Sequence, residues 1–146
     1  MTIAEFTVSG RPETKGSAKA FRHRGTGKII VRNDNEKCAG WSRAVGWSAR
    51  AAMRGAQPIS GPVTVEAVFR FPRPKTTKLR APRLDLDKLA RALLDGMTGI
   101  VYVDDKQVAE LRARKEWGPA GVAVSVFETP GQLEPLAALG ANKEVG

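Results

Sequence analysis

The sequence has six aspartates, and five of them, Asp85, Asp87, Asp95, Asp104 and Asp105, fall between positions 85 and 105. Carboxylates gathered this closely repel one another unless a cation lies among them. Asp85 and Asp87 are two residues apart. Such a pair shares a side of an extended segment but not of a helix. Pro82 favours an extended approach, which puts Asp85 in the last extended residues and Asp87 at a helix start, where it can also cap exposed N–H groups. Arg91 and Asp95 follow at successive turns and stack with Asp87 on one helical face. There Arg91 can neutralise its neighbours or reach a phosphate. Asp104 and Asp105 precede a strand pattern and can fold back beside the start of that helix. Three carboxylates on one divalent ion, with positions left for water and phosphate, suit metal-assisted phosphodiester hydrolysis. The plainer alternative has Asp87 as a helix cap, Asp104 and Asp105 as a turn, and no metal.

The surroundings favour a polyanionic partner. The chain carries 24 Lys and Arg against 15 acidic residues, a net charge of +9 and a pI near 10.2. Residues 11–83 hold 17 of those cations and four acids. A field of this sign attracts nucleic acid. His23 and Cys38 are each alone, which excludes a multi-histidine or Cys-rich metal centre and an intrachain disulfide. A metal here must be held by oxygens, which selects Mg²⁺ or Mn²⁺. No run approaches the roughly 18 apolar residues of a spanning helix, and the first residues lack the charged and apolar regions of a signal peptide. The expectation is a protein of the reducing cytoplasm with no membrane partner.

A chain of 146 residues predicts one domain. Residues 3–9 alternate as a strand with Ala4, Phe6 and Val8 inward. Residues 11–32 are rich in Gly, Lys and Arg, and Gly25-Thr26-Gly27 can turn a ribbon with arms at 21–24 and 28–31. Arg22 and Arg24 lie on that arm, where they can meet a phosphate backbone. The spacing of Trp41, Ala44, Val45, Ser48, Ala49 and Ala52 predicts a helix over 33–54, capped by Asn33, Asp34 or Asn35 and stopped by Gly55. Trp47 falls near the border of that stripe and reads as a core or interface aromatic in preference to a base-stacking one. Residues 63–71 alternate as a clear strand ended by Pro72. Residues 73–83 form a basic, proline-rich loop with Lys75, Lys78, Arg80 and Arg83, delivered directly to Asp85. A second helix is expected over 87–97. Residues 108–117 and 121–127 read as a strand pair around Gly118-Pro119. The segment 129–146 reads as a flexible tail, helical around 133–139, outside a domain of residues 1–128.

Arg-Leu-Asp-Leu-Asp-Lys-Leu at 83–89, Asp95 in the next helix and Val-Asp-Asp-Lys-Gln-Val at 103–108 together resemble the RusA family of Holliday junction resolvases. The family pattern is Asp-x-Asp-Asn-Leu-x-Lys, a downstream helical Asp, then Asp-Asp-x-Gln-Val. The likeness extends more loosely over residues 3–127, and the arm with Lys15-Gly16-Ser17 and Lys19-Ala20-Phe21 looks like the phage branch. The resemblance implies a single α+β domain with a small mixed sheet and two main helices. It implies that Asp85, Asp87 and Asp105 are catalytic and bind Mg²⁺ or Mn²⁺. It also implies a homodimer nicking opposed strands of four-way DNA. Two positions depart from the pattern. Lys88 stands where the family has Asn, adding a charge beside the metal ligands and a candidate DNA contact. Arg91 stands where the family has its catalytic Lys, keeping the charge on a wider, planar group that does not lose its proton. Two rival readings follow: a non-catalytic DNA-binding protein that keeps the fold, and a nuclease for other branched phage DNA.

Overall fold

The computed structural model describes residues 1–15, 18–22, 25–33, 36–132 and 136. Strands β1 (Thr2–Ser9), β2 (Ala18–Arg22) and β3 (Ile29–Asn33) precede helix α1 (Glu36–Met53) and strand β4 (Val63–Phe71). Helix α2 (Leu86–Met97), a 3₁₀ turn (Asp105–Gln107), β5 (Val108–Trp117) and β6 (Gly121–Glu128) complete the order. The result is a single α+β domain. Its mixed sheet runs β1-β6-β4-β5, while β2 and β3 form a separate antiparallel ribbon.

The sheet is built around the most apolar strand. In β4, Val63, Val65, Ala67, Phe69 and Phe71 are all buried, and the strand pairs antiparallel with β6 and parallel with β5. A parallel neighbour needs a crossover, and α2 supplies it. Strand β5 therefore does not pair with β6: β4 lies between them. The 118–120 link passes across the end of β4, where the Gly118 amide donates to the Phe71 carbonyl at 2.9 Å. This corrects the strand pair expected from Gly118-Pro119, because a three-residue link fixes proximity but not adjacency. At the start of β6 the chains come close: a Cβ on Gly121 would stand 2.5 Å from the Val8 carbonyl oxygen.

Both helices cover one face. Val45 and Ala49 of α1 and Leu89, Ala92, Leu93 and Met97 of α2 have no exposed surface. The helices touch at Gly96, where a Cβ would lie 2.9 Å from Val45 Cγ1. The other face of the sheet meets solvent with polar rows such as Glu5, Ser125, Glu66 and Arg112. Of the two places expected for Trp47, the core is excluded: it is 73% exposed, on the rim of a shallow groove between α1 and the Asp95-Gly96 end of α2. Helix α1 ends as expected, with Arg54 and Gly55 in left-handed geometry (φ 51° and 81°). The ribbon pairs Phe21 with Ile30 and Arg22 with Ile29, close to the expected arms. Arg24, Asp34 and Asn35, the Arg22 side chain, and the helical stretch read at 133–139 apart from Leu136 lie outside the described residues.

Candidate active site

The amino end of α2 holds its two carboxylates exposed. Asp85 occupies the N-cap position with extended backbone (φ −68°, ψ 119°), as expected after Pro82, and its carbonyl accepts from the Leu89 amide at 3.0 Å. Its side chain makes no capping hydrogen bond. The carboxylate instead lies 3.4 Å from Lys88 Nζ and is 61% exposed. Asp87 sits in the first turn, exposed, so the cap position belongs to Asp85 and not to Asp87. Negative charge at this end is favoured by the helix dipole.

The basic loop 72–83 arrives at the same end and is pinned there. Trp117 Nε1 donates to the Leu79 carbonyl at 3.0 Å, and Lys115 Nζ to the Leu84 carbonyl at 2.8 Å. Pro82 is buried while Lys75, Lys78, Arg80 and Arg83 are exposed. The loop therefore holds a row of cations in water beside Asp85 and Asp87.

Arg91 does not bridge its helical neighbours. It is exposed and has no ion pair among the described residues. Asp95 is taken by Lys15, whose ammonium binds the carboxylate while its backbone amide donates to the Lys88 carbonyl at 3.2 Å. The start of the basic arm is thus tied across two turns of α2. Nothing local marks this pair, because its members are 80 residues apart.

The Asp104-Asp105 pair divides its work. Asp104 caps the 3₁₀ turn: its Oδ1 accepts from the Lys106 amide at 2.9 Å, and its own amide donates to Gln107 Oε1 at 2.8 Å. This is a capping box, and Asp-x-x-Gln in the sequence was a signal for it. The Lys106 amide bond is the first reason that the Asp104 carboxyl is held below the usual carboxylate range. Gln107 Nε2 donates further to the carbonyls of Ile59 (2.6 Å) and Gly61 (2.9 Å), locking the turn to the 59–61 connector. Asp105 is left exposed. Beneath it Tyr102 is buried, with its hydroxyl donating to the Leu94 carbonyl at 2.7 Å. Burial above all pushes that hydroxyl's pKa up, with the charges of Asp105, Asp95 and Asp104 adding to the rise.

These bonds fix where the three expected ligands stand. Asp85 and Asp87 share the end of α2 that lies beside Lys115, late in β5. Asp105 lies before the start of β5, where Val108 pairs with Val63. It does not fold back beside the start of the second helix. The parallel crossover sends α2 down the sheet and returns the chain to the opposite end before β5 begins. In donor chemistry the residues fit a hard divalent ion, being exposed carboxylates with oxygen ligands only. In placement one chain does not close the set: among the described residues no three acidic, His or Cys side chains converge to hold a metal.

Among the described residues no helix is long and apolar enough to cross a membrane. No curated protein matches the chain. The family model for endodeoxyribonuclease RusA matches residues 10–127, spanning the arm, α1, the β4–α2–β5 unit and nearly all of β6. The motif at 83–89, the turn at 104–107 and the fold that separates them all lie within that match, and the chain belongs to the RusA endodeoxyribonuclease family.

Proposed function

We propose that the protein is a structure-selective endodeoxyribonuclease that resolves four-way DNA junctions by paired nicking, as a homodimer with Mg²⁺ or Mn²⁺, in recombination and repair. The observation that carries this reading is the amino end of α2, where two exposed carboxylates, Asp85 and Asp87, sit beside a pinned basic loop. The loop cations Lys75, Lys78, Arg80 and Arg83 hold the DNA backbone, supported by Lys88 and by Arg22 and Arg24 of the arm. Such contacts position a strand without reading its sequence. Asp85, Asp87 and Asp105 would hold the ion. When bound, it supplies an activated water and neutralises charge on the phosphate. Arg91, exposed and without an ion pair among the described residues, is available to the non-bridging phosphate oxygens. Its fixed charge stabilises the phosphate and moves no proton.

One observation favours a second reading. Lys88 stands 3.4 Å from Asp85, so the chain supplies its own cation at a ligand position. A DNA-binding protein without chemistry would need no more. Incubating a synthetic four-way junction with the protein, with and without Mg²⁺, separates the two. Metal-dependent, symmetric nicks support the nuclease. Retardation of the junction with no nick under any metal supports the binding protein. Forks and flaps cut faster than the junction would move the substrate to other branched DNA.

A further inference from the structure

Arg43, Trp47 and Arg50 recur at helical spacing, so they form one stripe along α1, and Arg54 stands just past the helix end. All four are exposed. The three arginines have no ion pair among the described residues. The chain offers them none locally, because no acidic residue lies between Glu36 and Glu66. The indole stands between the guanidiniums. It is the one aromatic among the large apolar side chains exposed in the described residues. The groove beside it is lined by Arg43, Trp47 and Arg50 from α1, and by Asp95, Gly96 and Ile100 from α2 and its exit. The carboxylate among these, Asp95, is already bound by Lys15. The groove therefore presents net positive charge around a bare ring.

We propose that this stripe is a second DNA contact, in which Trp47 stacks on an unpaired base of a single strand while Arg43 and Arg50 hold the phosphates beside it. The inference rests on the reading of DNA as the partner, and not on cleavage. The chemistry is that of a single-strand platform: the face of an indole accepts any base, and flanking cations track the backbone. A base inside a duplex has both faces covered by its neighbours, so the ring selects bases that a branch point has freed. Arg43 and Arg50 are roughly 10 Å apart along the helix axis, with the ring between them. Self-association is a poorer use of the same face. A two-fold contact sets a patch against itself, and here it would set unpaired guanidiniums against guanidiniums, which like charge opposes. The position also suits a strand on its way to the carboxylates. Arg54 begins the connector to β4, whose Ile59 and Gly61 carbonyls hold Gln107, and Asp105 opens the turn that contains Gln107. A strand lying along α1 is led toward Asp105, while the loop 72–83 holds its cations at the Asp85 end.

The test separates the base from the phosphates. Fluorescence anisotropy in EDTA, where no strand is cut, measures binding of the full chain to three labelled probes: an oligothymidylate, an abasic strand of the same length, and a duplex. The abasic strand keeps the phosphates and has no ring to stack. Trp47→Ala should weaken binding of the oligothymidylate roughly ten-fold and leave the abasic strand and the duplex within about two-fold of wild type. Trp47→Phe, which keeps a smaller ring, should recover most of the loss. Arg43→Gln with Arg50→Gln should weaken both single strands and flatten their salt dependence. Urea unfolding checks that each variant is folded, as expected for exposed positions. Equal affinity of wild type and Trp47→Ala for the oligothymidylate overturns the inference. So does a loss of the same size on the abasic strand. A wild type that sediments as a larger species than Trp47→Ala, at equal affinity for DNA, overturns it too and assigns the face to a second copy of the chain. A wild type that binds none of the probes sinks DNA as the partner, a pattern distinct from intact binding without an effect of Trp47.

Discussion

Gln107 tests whether the placement of Asp105 comes from the clamp beneath it. Its side chain makes three hydrogen bonds: to the carbonyls of Ile59 and Gly61, and from the Asp104 amide. At a net of about 1 kcal/mol each, Gln107→Ala would lose about 3 kcal/mol. The residue is only half-buried, so water reaches part of what is vacated, and about 2 kcal/mol is the better expectation. With a urea m-value of about 2 kcal/mol/M, that lowers the unfolding midpoint by about 1 M. Gln107→Glu should be worse than Ala. It keeps an acceptor for the Asp104 amide but turns the two donors into a carboxylate facing two carbonyl oxygens. Urea unfolding followed by far-ultraviolet circular dichroism gives both values, and Asp105→Asn serves as a control that should leave the midpoint unchanged. A Gln107→Ala protein within 0.5 M of wild type, or a Glu variant as stable as wild type, would show that the turn is held by something other than this side chain.

Asp85→Asn, Asp87→Asn and Asp105→Asn should each abolish junction cleavage while leaving gel-shift affinity near wild type, since binding comes from the cations; a variant that cuts normally removes that residue from the site. Neutralising Lys75, Lys78 and Arg80 together should weaken binding and flatten the dependence of log K on log salt by up to about three, measured by fluorescence anisotropy from 50 to 200 mM salt. Arg91→Ala should slow cleavage on the order of 100-fold at unchanged thermal stability, because Arg91 has no ion pair among the described residues to lose, and Arg91→Lys should keep or raise activity. For Asp104 the folded carboxyl titrates below its ordinary value, so its charge stabilises the fold above about pH 4 and ceases to as pH falls through the folded value. The stability advantage of wild type over Asp104→Asn, read from urea midpoints, should therefore be present at pH 7 and vanish in acid.

Much of the fold was legible because its signals are local. The alternation of β1 and β4, the extended approach of Asp85 after Pro82 and the glycine stop of α1 each follow from a few neighbouring residues. What was not legible depends on pairing at a distance. A short Gly-Pro link between two strand patterns looks like a hairpin, and nothing in residues 108–127 says that 63–71 inserts between them. That one topological fact moves Asp105 to the far end of α2 from Asp85, so residues that stand close together in the linear motif do not fold into one cluster within the chain. Asp95 shows the same limit: helical spacing offered it Arg91, and the fold gave it Lys15. Trp47 lies outside the core because a narrow apolar stripe has a border, and only the packed neighbours decide which side of it is dry.

The place of β6 has a consequence for how the protein is made. It is the last strand among the described residues yet an interior strand of the sheet, with β1 on one side and β4 on the other. While the ribosome has delivered only the first 120 residues, β1 has no partner in the sheet and β4 has only β5. The nascent chain then carries the carboxylates and cations but has two unzipped edges where β6 belongs. At about 5–20 residues per second, β6 follows Asp105 by roughly one to five seconds. During that interval a basic, carboxylate-bearing chain exists without the framework that would aim it at DNA. Synthesis order itself thus leaves the sheet open until β6 is in place, and a message truncated within β6 should yield a chain for proteases and not a folded domain.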